Sequence, residues 1–164
     1  MLPVILAIQL AAAEPCLRTR DAVAVTVVTA ALSRSETVRA LCRELADTDL
    51  RVYVSTTSHN CKGRPTTTLF AVGSGVRYLS ISLPLTTCRS LTTPASPVGV
   101  TGNIAWLGHE LRHALEIGAE PAVRDQAAMA RLFKHIGRPA AGKGETYETA
   151  AAIETQRLVA SEVK

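Results

Sequence analysis

Apolar positions along the chain change their period several times, and each change marks an expected element. Between Asp21 and Ala31 the Val/Ala/Thr-rich run fits either a strand or a helix. Ser33-Arg34-Ser35-Glu36 then has the Ser-x-x-Glu form of a capping box. It opens an expected helix from Ser35 to Asp47, with Val38, Leu41, Cys42 and Leu45 on one face. The period next shortens to two. Arg51–Val54, Thr66–Val72 and Val76–Leu83 alternate as strands do, the last two joined by a turn at Gly73-Ser74-Gly75. Ser58–Pro65 and the Thr/Ser/Pro-rich Thr86–Gly99 read as loops. From Thr101 the helical period returns over 102–117, 121–136 and 146–162, with Pro121 suited to a first turn and 137–144 as connector. An N-terminal helix, a three-stranded antiparallel meander and a helical half together predict an α+β fold.

The first thirteen residues carry no charge and end in Ala11-Ala12-Ala13 before Glu14-Pro15. That is the form of a secretory h-region with a small-residue cleavage site. Residues 1–13 are therefore expected to be a signal peptide, with a buried N-terminal strand as the alternative, and 14–164 a single domain. Thirteen residues are too few to cross a bilayer as a helix, which takes about 20. The expectation is a secreted or periplasmic protein without a stable membrane span. An even set of four cysteines fits two disulfides in such a compartment, Cys61 with Cys88 across the apparent hairpin and Cys16 with Cys42; four reduced core thiols or a single bridge are the alternatives.

Composition narrows the classes further. Apolar residues at 47% and charged residues at 20% describe a folded globular chain rather than a disordered one. A net charge of +4 raises the question of nucleic acid, but the basic residues are scattered and aromatics make up only 4%. A mildly basic surface, with no nucleic-acid partner, is the expectation.

The chemistry concentrates in Trp106-Leu107-Gly108-His109-Glu110-Leu111-Arg112-His113. Histidines four apart are just over one helical turn apart, so both imidazoles project toward one point. Two neutral imidazoles leave a zinc ion room for a third protein ligand and a water. Glu110, next to the first histidine, is placed to act on that water as general base. The alternative is a helix with solvated histidines. Against it, Ile104, Leu107, Leu111 and Leu115 line one face while Trp106 and Ile117 flank the histidines, which argues that both faces are covered.

A third ligand must come from elsewhere. Glu116 lies about 10.5 Å along the helix from His109 at 1.5 Å per residue, so it reads as a supporting or solvated group. Glu148 shares an expected helix face with Ala151, Ala152, Thr155 and Val159, a small apolar surface on which a carboxylate needs a compensating charge. Zinc would supply it; a helix end or an arginine is the alternative. Glu145 is the second choice of ligand, and His135 a weaker one. No oxyanion-stabilising group can be assigned, with Tyr147 and Arg112 reading as structural or exposed.

At these residues the sequence resembles the zincin metallopeptidases, in the gluzincin arrangement where HExxH is completed by a Glu on a later helix. It is also similar to small bacterial proteins in which an HELRHALE-type helix precedes an ET-x-A-A segment, here Glu148-Thr149-Ala150-Ala151. The similarity spans roughly residues 50–164, and is strong only around the two motifs. The Gly and third His of the metzincin extension are absent, Glu116 standing where that Gly would be. The resemblance implies His109, His113 and Glu148 as zinc ligands, Glu110 as general base and a peptide or protein as substrate. By the same analogy Val76–Leu83 would pair with an extended substrate, with a plain edge or central strand as the alternative. A non-catalytic, zinc-stabilised extracytoplasmic binding protein is the competing function. The oligomeric state is not legible.

Overall fold

The structure, a computed structural model, describes residues 16–57, 65–84, 97–140 and 146–164. The expected signal peptide, the Cys61–Cys88 pair and Glu145 lie outside the described residues. Within them the chain runs β1 (Leu17–Thr19), α1 (Ala22–Arg34), α2 (Glu36–Ala46), β2 (Leu50–Thr57), β3 (Thr66–Gly73), β4 (Val76–Pro84) and α3 (Pro97–Gly118). It continues with α4 (Gln126–Ile136), β5 (Arg138–Pro139), β6 (Tyr147–Glu148) and α5 (Ala150–Glu162). This is a mixed α+β fold.

The ambiguous run after residue 20 is helix, because Asp21 caps it. Its carboxylate accepts from Ala24 N–H at 2.8 Å and also from the backbone and hydroxyl of Thr56 on β2. The cap of α2 is Ser35 rather than Ser33: Ser35 Oγ accepts from Val38 N–H, while Ser33 turns back to the Ala30 carbonyl. Two helices begin later than their period suggests. Asp125 caps α4, leaving Pro121 in the preceding turn, and Thr149 caps α5, leaving 147–148 extended. In contrast α3 starts early, at Pro97.

The expected antiparallel meander is corrected to a mixed sheet of order β1-β2-β4-β3. β1 and β2, linked through α1 and α2, are parallel, and β2 is parallel to β4. Only β3 and β4 form a hairpin, across Ser74 and Gly75. Both have positive φ, as a two-residue primed turn requires. The swap has a physical cause. Arg77, Leu79, Ile81 and Leu83 of β4 are all buried on the helix side, whereas Thr-rich β3 is largely exposed and suits an edge. Because β2 and β3 occupy both edges of β4, Val76–Leu83 has no ladder left for a substrate. β3 holds the edge position instead.

One face of the sheet is covered. Leu50, Val52 and Val54 of β2 and the apolar residues of β4 pack with Ile104, Leu107, Leu111 and Ile117 of α3. Arg77 fixes the end of that helix. Fully buried, it pairs with Asp49 at 2.6 Å and donates to the carbonyls of Ile117, Gly118, Glu120 and Val123. Of these oxygens at and beyond the C-terminus of α3, Ile117 and Glu120 accept only a turn N–H, from Glu120 and Val123, so a guanidinium fork suits the lone pairs the helix leaves open. On the other side of α3, α5 approaches closely at Gly108, where a Cβ would lie 2.7 Å from Val159 Cγ2. The distal end of α5 is tied down as well: Glu162 accepts from Thr37 Oγ1 at 2.7 Å and from the Ser35 hydroxyl, and Arg34 donates to the Val163 carbonyl. A Cys16–Cys42 disulfide fastens the start of β1 to α2.

Candidate metal centre

The helix α3 is clamped at one end by Arg77 and along its length by α5, and the HExxH residues lie between these contacts. His109 is 2% and His113 7% exposed. Buried imidazoles cannot rely on water, so they require partners. The structure brings Glu148 to them, from β6 rather than from the helix face that its sequence position suggests. Its Oε2 lies 2.7 Å from His109 Nε2 and 3.4 Å from His113 Nε2, and the two Nε2 atoms are 3.1 Å apart. One donor atom from each residue lies within 4.8 Å of the others.

The three residues fit a cation. Ligands about 2.05 Å from a tetrahedral zinc stand about 3.3 Å from one another. Two of the three separations are near that figure and the third is shorter. Two nitrogens and one carboxylate oxygen are a common three-ligand set for a catalytic divalent metal, with a position left open. The set permits a metal without specifying which.

The surroundings orient two of the three candidate ligands. Glu116 Oε2 lies 2.8 Å from His113 Nδ1, which directs Nε2 toward the cluster. The other oxygen of Glu116 accepts from Thr149 Oγ1 at 2.7 Å, and Thr149 is both the neighbour of Glu148 and the cap of α5. One carboxylate thus ties a ligand on α3 to the segment that delivers the ligand from β6. His109 Nδ1, by contrast, is buried without a hydrogen-bond partner among the described residues, and the ring stands edge-on to Trp106.

The electrostatics follow from this packing. Hydrogen bonds from His109 and His113 hold the Glu148 carboxyl down at about 2. Burial pulls His113 downward, but its hydrogen bonds to Glu116 and Glu148 outweigh that and raise it to about 9. Both shifts favour a charged imidazole at His113 beside a charged Glu148 carboxylate.

Glu110 is a different case. Only 5% exposed, it does not join the three-residue cluster. Burial pushes its carboxyl above the usual range, opposed by a hydrogen bond from Thr67 Oγ1 to Oε2 at 2.6 Å. Thr67 pairs in register with the buried Ile81, which places its side chain on the helix-facing side of edge strand β3.

Two cavities meet at Glu148. A cavity of about 240 Å³ lies between β3 and the helices, lined by Thr66, Thr67, Glu110, His113, Phe133 and Tyr147 among others. A second, of about 440 Å³, lies on the Trp106 side and includes His109, Arg138, Ile153 and Gln156. Tyr147 is therefore part of the cleft wall, whereas Arg112 lines neither cavity. His135 is exposed and takes no part in the cluster.

Sequence reasoning did not single out Thr67, Thr149 or Arg138. Thr149 carried a usable signal, as a threonine before a helical run. Thr67 and Arg138 reach the site through strand pairing between distant segments, which alternation alone does not encode. Among the described residues no helix is long and apolar enough to cross a membrane. Comparison with protein-family models, with curated proteins and with solved structures returns no match.

Proposed function

We propose that the protein is a zinc-dependent hydrolase of peptide bonds, with His109, His113 and Glu148 as metal ligands and Glu110 as general base. The observation that carries this reading is the placement of Glu110. A buried carboxylate adjoins the three-ligand cluster, faces an open cavity and is held by a single hydroxyl, that of Thr67. A merely structural metal site has no use for such a group.

Zinc, when bound, supplies Lewis acidity for the carbonyl and lowers the pKa of water. The chain's own residues do the rest. Glu110 accepts the proton of the attacking water and, in its protonated form, delivers it to the leaving nitrogen. Thr67 keeps the carboxylate turned toward the cavity. Edge strand β3 offers an extended substrate a backbone ladder beside Glu110, the role assigned by sequence analogy to Val76–Leu83. The zincin-like arrangement is part of the same proposal, supported by an HExxH helix, a third ligand later in the chain and a neighbouring edge strand. A secreted or periplasmic location is supported by the Cys16–Cys42 disulfide.

The discriminating experiment is Glu110→Gln. The zinc-loaded variant is expected to keep its metal and its fold while losing cleavage of a mixed peptide pool followed by mass spectrometry. The loss is expected to be at least the roughly 10²–10⁴-fold typical of a general base. Equal cleavage by the variant, or none by zinc-loaded wild type, would leave the non-catalytic binding protein as the better description.

A further inference from the structure

The second cavity has a polarity of its own. Its walls are mostly apolar, from Trp106, Ile153 and neighbouring small residues, and at about 440 Å³ it falls in the roughly 300–1,000 Å³ range of small-ligand pockets. Among the described residues that line it, Glu148 is the single carboxylate, and it is engaged with the two imidazoles. Arg138 stands opposite Glu148 in the β5–β6 register, so both side chains lie on the same face of that ribbon. The Arg138 guanidinium has no hydrogen bond or ion pair among the described residues, and neither does the Gln156 amide. A guanidinium without a described partner on a mostly apolar wall leaves its N–H donors available to an anion in the cavity. The planar N–H fork of Arg matches a carboxylate in particular.

We infer that this cavity is a carboxylate-binding subsite, with Arg138 as its anchor, for a substrate that carries a carboxylate on the Trp106 side of the cleaved bond. The inference rests on the hydrolase reading above. The carboxylate is either the free C-terminus of a peptide or an Asp or Glu side chain; both present the same group to Arg138. The aliphatic stem behind it would lie against Trp106 and Ile153. Because Arg138 is exposed and unpaired, it can be replaced without disturbing the core.

The test uses zinc-loaded protein and two small metal-directed probes, succinic monohydroxamate and its amide counterpart, titrated calorimetrically. Wild type is expected to bind the carboxylate probe about tenfold more tightly than the amide, as one charge-assisted contact provides. Arg138→Ala is expected to abolish that preference while leaving affinity for the amide unchanged. Equal binding of the two probes by wild type, or a preference surviving in Arg138→Ala, overturns the subsite and leaves the hydrolase reading standing. Failure of zinc-loaded protein to bind either probe overturns both. A second arm compares cleavage of peptides with a free or amidated C-terminus, and of amidated peptides with internal Glu or Gln. Preference in either pair identifies the source of the carboxylate, and preference in neither overturns the subsite.

Discussion

His113 Nδ1 and Glu116 Oε2 stand 2.8 Å apart, three residues apart on the helix, and this contact sets which nitrogen of His113 faces His109 and Glu148 in the candidate metal site. The other oxygen of Glu116 holds Thr149, next in sequence to Glu148. Loss of this one carboxylate therefore loosens two ligands at once. Glu116→Ala is expected to weaken zinc binding by about 10–100-fold, the usual range for a group that orients a ligating histidine. Glu116→Gln, which can still bridge the two partners, is expected to weaken it less. Competition against a chromophoric chelator measures both.

Thr67 acts on Glu110 rather than on the metal. Thr67→Val keeps the β-branched shape and removes the hydroxyl, so the carboxylate loses its only described hydrogen bond. The expected result is a fall in kcat of roughly tenfold, a fraction of what a general base contributes, with zinc content and KM unchanged. Thr67→Ser, which retains the hydroxyl, should recover most of the activity. A change confined to KM would assign Thr67 to substrate binding instead.

Arg77 is where the site depends on the fold most heavily. Its removal takes a donor from four carbonyls at and beyond the C-terminus of α3, of which Ile117 and Glu120 keep one turn N–H each, and leaves Asp49 without its partner. Arg77→Ala is expected to cost about 2–5 kcal/mol, the range for emptying a fully buried position, with the lost carbonyl contacts contributing more than the partly exposed Asp49 partner. Arg77→Lys should recover little, because an ammonium cannot span Asp49 and the helix end together. Urea unfolding of the three proteins gives the comparison.

The same pair predicts a pH dependence. Hydrogen bonding from Arg77 holds the Asp49 carboxyl below its ordinary value, against the opposing effect of burial. A lowered folded-state pKa stabilises the protein above the unfolded value and loses that stabilisation as pH falls through the folded one. The stability gap between wild type and Asp49→Asn should accordingly be full near pH 7 and close as the pH drops below about 4. Unfolding midpoints measured from pH 7 down to pH 3 would show the closure. A gap that stays constant over that range would mean that Asp49 is not held through its charge.

How much of this was legible in the sequence varies with the range of the interactions. The helical periods located α2 and α3, and a four-residue spacing placed His109 and His113 on one face, because those features are local. Glu148 was singled out as a carboxylate on a small apolar surface. It does reach the imidazoles, but from the extended residues before α5, since Thr149 rather than an earlier residue caps that helix. β2, β3 and β4 were readable from alternation, but the two- and three-residue strands β1, β5 and β6 were too short to alternate, and strand order was not readable. Alternation says which side chains share a face and nothing about which strand lies beside which, so parallel pairing of β2 with β4 had no local signature. The comparative burial of β4 and the threonines of β3 held a partial clue to which was central. The roles of Thr67 and Arg138 depend on that order and on the β5–β6 pairing, and could emerge only with it.

All of the chemistry rests on a cation shared by His109, His113 and Glu148, so metal content is the measurement to make first. Purified protein would be loaded with zinc, dialysed and assayed for metal per chain beside His113→Ala and Glu148→Ala, with circular dichroism as a check on folding. The expectation is one zinc per wild-type chain and little in either variant, all three remaining folded. A wild type that leaves dialysis without metal, or a Glu148→Ala protein that retains a full equivalent, would contradict the three-ligand site.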